Sequence, residues 1–481
     1  MDENEKFQMK YQNITTDDVL EALRAWHGKE SVTHWPFSQL RLGLQLVDEE
    51  DTYSSMAGGK QAARNRAILN RGLYVLKTQS PDSEELLRER FEHRRDVLAV
   101  ANRLNISESS IYYRQRQAIS QLTEILNRLE ENASSDWRNR MYARLDLPTY
   151  SRLVGVDEIC DVLMDTLLGG NDHFIVALDG LGGMGKTALA DKVARSIIGQ
   201  LGFEEIAWTT AKQTHLSSLG RLKIESGRPA LTFPLLIEKL ADQFEIPDLP
   251  NMTQLKRQQI VNNYLRERAC LVVIDNLETV ADYRSLLPEL RANQNPSKFL
   301  LTSRLRLFDE PGVYSLSLKE LSRESAFELL REEASRTGFS TLSDSTNEDL
   351  QKIYDAVGGH PLALKLVVGQ LRFRSLSRVL DRYEVGGQKG SDKIFDYIYQ
   401  EIWETLDDNS KMILLALSQA SEIGFTFDHI MSISGLSEMH VDQSLENLIL
   451  LSLVDLGGSL HERRYRLHRL TEVFLLTMFN S

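Results

Sequence analysis

Only two cysteines, Cys160 and Cys270, occur in 481 residues, which excludes a disulfide-stapled fold. Both sit in apolar segments and read as reduced core residues in a reducing compartment. No apolar run approaches the roughly 18 residues of a membrane span. The first residues, Met1-Asp-Glu-Asn-Glu-Lys, are acidic where a secretory leader is basic and then apolar. A cytoplasmic protein without membrane association is expected. A basic excess is also lacking: 56 Lys and Arg against 69 Asp and Glu give a formal charge of -13. That balance excludes a chain-wide nucleic-acid surface, though not a local one. No repeat array is visible. The remainder, 42% hydrophobic and 26% charged, is that of a soluble globular protein. The length exceeds what one ordinary core supports, so roughly three or four domains are expected.

One stretch organises the chain. Phe174 to Leu178 is an apolar run of the kind buried on both faces of a parallel sheet. Gly180, Gly185, Lys186 and Thr187 then fit G-x-x-x-x-G-K-[ST], and Leu189, Val193 and Ile197 continue at helical spacing. Gly180, Gly182, Gly183 and Gly185 carry no Cβ to stop the backbone curling around an anion, so N–H groups of the loop and the helix start point at phosphates. Lys186 brings a full positive charge to the β and γ phosphates, and the Thr187 hydroxyl is a ligand for Mg2+.

Further strands follow this design. Glu205-Ile-Ala-Trp-Thr-Thr is one, followed by helices near Leu235 to Phe244 and Gln254 to Arg268. Ala269 to Asn276 is apolar until Asp275, which places a carboxylate at the carboxyl edge of a sheet, able to hold the same Mg2+ as Thr187. Lys298-Phe-Leu-Leu-Thr-Ser-Arg304 delivers polar groups and a cation to that edge, where Arg304 can reach a γ-phosphate or stand as a plain surface arginine. With Val313 to Leu318, the alternation of strands and helices predicts a doubly wound parallel sheet.

Outside this region the periodicity is helical. Residues 1–80 form a helical N-terminal region of unassigned role, with helices at Val19 to Trp26 and Ala62 to Leu76 around a polar stretch. In residues 81–132, Val97, Val100, Ala101 and Leu104 make one apolar face, and Asn105-Ile106-Ser107 punctuates it. Ile111, Ala118 and Leu122 continue on a second helix capped by Ser107. This unit resembles the helix-turn-helix of bacterial sigma-type and response-regulator DNA-binding domains. It leaves two readings open: a DNA contact through residues 94–122, using Ser109, Ser110, Tyr112, Tyr113, Arg114 and Arg116, or a helical hairpin for packing or protein contact. Residues 133–150 read as a linker. After Leu318 a helical domain (317–390) includes a helix capped by Ser322, another at Asn347 to Val357, and a third opened by Pro361. Residues 391–481 read as three helices and a hairpin turning at Gly457-Gly458, a winged helix. The overall expectation is multidomain: an α/β P-loop domain over 151–316, a helical domain, a winged helix and an all-α N-terminal region.

Five motifs in order are Gly180-Leu-Gly-Gly-Met-Gly-Lys-Thr, Leu271-Val-Val-Ile-Asp-Asn, Leu300-Leu-Thr-Ser-Arg, Gly359-His-Pro-Leu-Ala and Tyr465-Arg-Leu-His468. Through them the chain from Leu153 to Phe479 resembles the NB-ARC branch of the STAND nucleotide switches. That resemblance implies an ADP or ATP site, with Mg2+, lined by Val154, Gly155, Gly180, Gly182, Gly183, Met184, Gly185, Lys186, Thr187 and Ala188. It implies that Pro361 packs on the adenine side, that His468 reaches the β-phosphate of ADP in a closed state, and that Arg304 senses the γ-phosphate. Lys186, Asp275 and Arg304 are the candidate catalytic groups, with Thr187 and Asp275 on the metal. Self-association in the ATP state and an unidentified sensor or effector protein are the partners implied. Val156 departs from an arginine common in relatives. Asn276 replaces the second acid of more hydrolytic relatives, with Glu278 a substitute, so slow hydrolysis at best is expected. The repeat sensor usual at the C-terminus of relatives has no counterpart here. Two alternatives remain: an ATP-gated transcription regulator, and a DNA-stimulated ATPase of the loading or transposition type.

Overall fold

A computed structural model describes residues 13–27, 37–38, 40–49, 59–148, 150, 151–170, 172–180, 183–200, 202–211, 231–246, 252–277, 280–303, 307, 310–339, 342, 345–380, 403–404, 406–420, 424–450, 453–459, 462–467, 471 and 475. The chain divides into two compact units, Met1–Ala143 with Ile198–Glu204, and Arg144–Ile197 with Glu205–Ser481.

The regular elements described in the first unit are all helices. Helix α1 (Thr16–Arg24) opens on a capping box: the Thr15 hydroxyl accepts the Asp18 N–H at 3.2 Å, and the Asp18 carboxylate accepts the Thr15 N–H at 2.8 Å. Its Val19 and Leu23 pack with Leu69 and Leu73 of α3 (Gly59–Gln79) and with Leu122 and Leu126 of α6 (Glu108–Ala143). Helix α2 (Arg41–Glu49) lies within the stretch read as polar, where no helix was expected. Its first turn is held from α6, where the buried Glu130 carboxylate accepts the N–H groups of Arg41 and Leu42, both at 2.9 Å. Burial pushes the Glu130 carboxyl above the ordinary glutamate range, although those bonds pull it down. Helices α4 (Pro81–Leu87) and α5 (Val97–Leu104) complete the unit.

The segment read as a linker from residue 133 is helical as far as Ala143. Ala133, Trp137 and Met141 are buried at fourfold spacing, one apolar stripe among polar neighbours. Trp137 also donates its indole N–H to the Glu204 carbonyl at 2.7 Å, and the Arg41 guanidinium stacks on its ring at 4.0 Å.

The second unit is built on a parallel five-stranded sheet, β1 (Ile175–Asp179), β2 (Glu205–Thr210), β3 (Cys270–Leu277), β4 (Lys298–Ser303) and β5 (Val313–Ser317), in the order β2-β3-β4-β1-β5. The continuous apolar runs are buried as expected, Ile175 to Leu178 and Cys270 to Ile274 completely. Register brings Thr210 beside Asp275 and Asp179 beside both Ser303 and Ser317, so polar residues gather along one carboxyl edge. Helices α7 (Asp157–Leu168), α8 (Lys186–Gln200), α9 (Phe233–Gln243), α10 (Gln254–Glu267) and α11 (Val280–Ala292) accompany the sheet.

After β5 the described elements are helical until a final hairpin. Helix α12 (Arg323–Arg336) starts where the Ser322 hydroxyl accepts the Ser325 N–H at 3.2 Å, followed by α13 (Asn347–Val357) and α14 (Pro361–Leu371). Helices α15 (Asp408–Leu417), α16 (Phe427–Ser434) and α17 (Glu438–Leu450) lead to β6 (Val454–Gly458) and antiparallel β7 (Arg463–Leu467). The boundary expected near Gly387 and the helix expected from Lys393 fall outside the described residues. One contiguous core joins Leu330, Ile353 and Leu364 to Leu414, Leu445, Val454 and Leu467.

Gly359, in the turn before α14, donates none of its space: a Cβ there would stand 2.1 Å from the Leu321 carbonyl oxygen. The Leu321 N–H in turn bonds the Gly359 carbonyl at 2.8 Å, tying the two turns backbone to backbone. Gly199, within α8, has nothing within 4 Å of an added Cβ. Gly359→Ala is therefore expected to lower the unfolding midpoint sharply, and Gly199→Ala to raise stability by about 0.4–1 kcal/mol. Thermal and urea unfolding of both variants checks the contrast, and a harmless Gly359→Ala would contradict the close approach.

Candidate functional site

The loop after β1 meets the start of α8 at the carboxyl edge of the sheet. Gly183 and Gly185 have φ of 79° and 91°, conformations that L side chains rarely adopt. Lys186 opens α8 nearly buried, and its ammonium donates to the Gly180 carbonyl at 2.8 Å, which folds its aliphatic stem back across the loop. Thr187 follows, and its hydroxyl donates to Oδ1 of Asp275 at 2.7 Å. The two oxygen groups expected on one metal are thus in direct contact.

Asp275 is aimed by a bulge. The β3–β4 register shifts between Ile274 and Leu277, and Asn276 lies at φ 72°. Asparagine is among the side chains best suited to that left-handed backbone. The Asn276 N–H is taken up by Oγ1 of Thr302 at 2.9 Å, while the Thr302 hydroxyl donates to Oδ1 of Asp275. The Asn276 amide reaches Oγ1 of Thr210 at 3.4 Å. Thr302 and Asn276 thus share one structural task, which spacing alone did not reveal.

At β1 the wholly buried Asp179 accepts hydroxyl protons from Ser315 and Ser317, and its carbonyl accepts the Leu318 N–H at 2.8 Å. These bonds fasten the base of the loop to β5. On the other side, Tyr150 donates to Asp191 of α8 at 2.8 Å, and Arg195 donates to the same Oδ2, also at 2.8 Å. Burial and the Asp191 carboxylate push the Tyr150 phenol above its ordinary range, so it remains a donor at neutral pH.

A cleft of about 1030 Å³ opens over this edge. Val154, Gly155, Gly183, Met184, Gly185, Lys186, Thr187, Ala188, Asp275 and Pro361 all line it. Gly180 is joined to them through the Lys186 bond. Gly182, Arg304, His468 and Glu278 lie outside the described residues. Gly183, Ser303 and Leu467, the chain neighbours of the first three, line the cleft. The cleft also takes Lys365, Arg336 and Leu456, none of them singled out from the sequence, and Arg466, which was quoted only as part of the Tyr465-Arg-Leu-His468 motif. Lys365 lies one helical turn after Pro361, and that spacing was the available signal. Arg466 pairs with Asp146 at 3.6 Å, joining β7 to the segment ahead of Val154.

The donor set fits a small hard cation: one hydroxyl and one carboxylate, with no nitrogen or sulfur group. Among the described residues no cluster of three or more His, Cys, Asp or Glu could hold a metal by itself. Mg2+ takes one or two protein ligands and completes its shell with water and phosphate oxygens, which a hydroxyl and a carboxylate side by side allow.

Residues 156–339 match the family described as NB-ARC domain. Over these residues the chain carries an NB-ARC domain. The NB-ARC region is similar to plant proteins named for disease resistance. A putative disease resistance RPP13-like protein 3 of Arabidopsis thaliana is 26% identical over 277 residues, covering 54% of this chain and 28% of the relative. The ToMV resistance protein Tm-2(2) of Solanum lycopersicum is 26% identical over 278 residues, covering 55% of this chain and 30% of the relative. The chain thus spans about a third or less of the length of these relatives. Among solved structures, a STAND protein with a tetratricopeptide repeat sensor from Pyrococcus horikoshii aligns with a TM-score of 0.45 at 18% identity, over 68% of this chain and 42% of that one. Among the described residues no helix is long and apolar enough to cross a membrane.

Thr302→Val removes the donor to Asp275 and the acceptor for the Asn276 N–H in a near-isosteric change. A loss of about 1–3 kcal/mol in unfolding free energy is expected. Urea titration measures it, and an unchanged midpoint would mean that the bulge holds without Thr302.

Proposed function

We propose that this chain is a nucleotide-dependent signalling switch, in which one bound ADP or ATP joins the NB-ARC domain to the helical and hairpin segments after it. The observation that carries this reading is that Lys186, Pro361 and Leu467, from three separate parts of the chain, border one cleft. In this reading the N–H groups of Gly183 to Ala188 and the Lys186 ammonium take the phosphates. Val154, Gly155 and Pro361 enclose the adenine. Thr187 and Asp275 would hold Mg2+, which when bound supplies positive charge between the phosphates.

His468, next after Leu467, ties the hairpin to the β-phosphate of ADP and keeps a self-association surface covered. With ATP, Arg304 takes the γ-phosphate, the His468 tie weakens and the hairpin is released for assembly. Swinging such an equilibrium from 1:99 to 99:1 takes about 5.5 kcal/mol of differential affinity. A few charge-assisted hydrogen bonds at ~1.5–3 kcal/mol each supply it.

Turnover is slow in this scheme. Position 276 carries an amide where an acid would orient water, and the Asp275 carboxylate is engaged by Thr187 and Thr302. Exchange of nucleotide is then the main activity, with weak ATPase at most. The buried thiols of Cys160 and Cys270 suit the reducing cytoplasm. The partner is a sensor or effector protein, in defence or regulatory signalling of the kind the names of the plant relatives indicate.

Lys186→Ala is expected to abolish nucleotide retention. His468→Ala should speed ADP release or shift the protein toward oligomer. Light scattering with quantified bound nucleotide reads both, and a His468→Ala protein of unchanged size and unchanged ADP content would contradict the tie.

A further inference from the structure

The nucleotide cleft makes no use of the α5–α6 pair in the first unit. Helix α5 is capped at its start by Asp96, whose carboxylate accepts the Ala99 N–H at 2.6 Å. It ends at Asn105, which takes the left-handed conformation at φ 54° and ψ 46°, and the Ile106 N–H returns to the Ala101 carbonyl at 3.0 Å. Ser107 then accepts the Ser110 N–H at 3.3 Å as α6 begins. Ile111 is buried against Leu86, Val100 and Ala101, which fixes the first turns of α6 across α5.

The opposite face of those turns is bare. Ser109, Tyr112, Tyr113, Arg116 and Ser120 recur at helical spacing and all are exposed, Tyr112 at 57% and Tyr113 at 66%. Arg114 flanks them. Neither Arg114 nor Arg116 has an ion-pair or hydrogen-bond partner among the described residues.

Charge along this part of the chain looks balanced in sequence, but the structure separates it. Glu84 and Glu92 pair with Arg88, both at 2.5 Å, and Glu89 pairs with Arg95 at 2.7 Å and Arg103 at 3.1 Å. Glu85 also reaches Arg103, at 3.3 Å. With Asp96 spent as a cap, the acids of residues 84–92 lie on the α4 side and are paired there, which leaves Glu108, exposed in the first turn of α6, as the one acid at the start of that helix. On α6 no acid follows Glu108 until Glu124, so the exposed face carries two unneutralised guanidinium groups among hydroxyls and amides.

We infer that the exposed face of α6 from Ser109 to Ser120 docks on duplex DNA, with α5 packed behind it. Just over three turns of helix, roughly 17 Å, fit along a major groove. Guanidinium, amide and hydroxyl groups contact phosphates and base edges, which is the chemistry this face offers. Of the aliphatic side chains on this pair only Leu98, on α5, is strongly exposed among the described residues, so the face is polar and cationic rather than apolar. This inference stands apart from the nucleotide switch.

The full-length protein, with ADP and separately with ATP, is titrated onto a fluorescent mixed-sequence duplex by anisotropy between about 50 and 200 mM salt. Arg114→Ala with Arg116→Ala should weaken duplex binding roughly tenfold to a hundredfold and reduce the log–log salt slope by about two. Tyr113→Ala should weaken binding with the slope unchanged. Both sites are exposed, so circular dichroism and nucleotide retention should match wild type. Absence of duplex binding in both nucleotides, a double variant with the wild-type slope, or equal affinity for a single strand would overturn the inference. Loss of self-association in the double variant, without duplex binding, would also overturn it and assign the face to protein.

Discussion

Asp275 accepts hydroxyl protons from Thr187 and Thr302 at one carboxylate oxygen, and the arrangement of the cleft depends on that convergence. The bond to Thr187 fixes the start of α8 relative to β3, and the bond to Thr302 fixes β3 relative to β4. The Asn276 N–H, accepted by the same Thr302 hydroxyl, sets the bulge that turns the carboxylate toward α8. Three elements far apart in sequence are therefore locked at the edge where the phosphate loop emerges. Asp275 and Thr302 are buried, so losing one partner leaves the other's polar group costly to bury.

Beyond that lock the cleft is completed by parts that lie outside the sheet. Pro361 arrives because Gly359 lets its turn lie against Leu321, and Leu467 arrives on the second strand of a hairpin whose core is shared with the helices before it. The edge that carries the phosphate loop is tied together by these side-chain bonds, whereas the far walls of the cleft belong to a separate helical core. A ligand that touches both can bias their association, and one that touches only the edge cannot.

Much of this was legible in the sequence because the signals were strong and local. Buried parallel strands have to be continuously apolar, so β1, β3 and β4 could be placed within a residue or two, together with Lys186, Thr187 and Asp275. Capping by Ser322 and the proline start of α14 were equally readable. What escaped was set by distant partners. Helix α2 begins on a carboxylate from Glu130, and nothing near Arg41 announces it. The end of α6 looked like a linker because its stripe is only Ala133, Trp137 and Met141. Asn276 looked like a lost acid, whereas its φ of 72° gives a backbone reason for asparagine at that position. The ion pairs that gather acids of residues 84–92 on one side are likewise invisible in a net charge.

Amide hydrogen exchange of the intact protein with and without ADP and Mg2+ tests most directly whether one nucleotide spans the cleft. A shared site predicts slowed exchange in three segments together: residues 183–190, the start of α14 from Leu362, and β7 through Leu467. Protection confined to residues 183–190, with α14 and β7 unchanged, would contradict it.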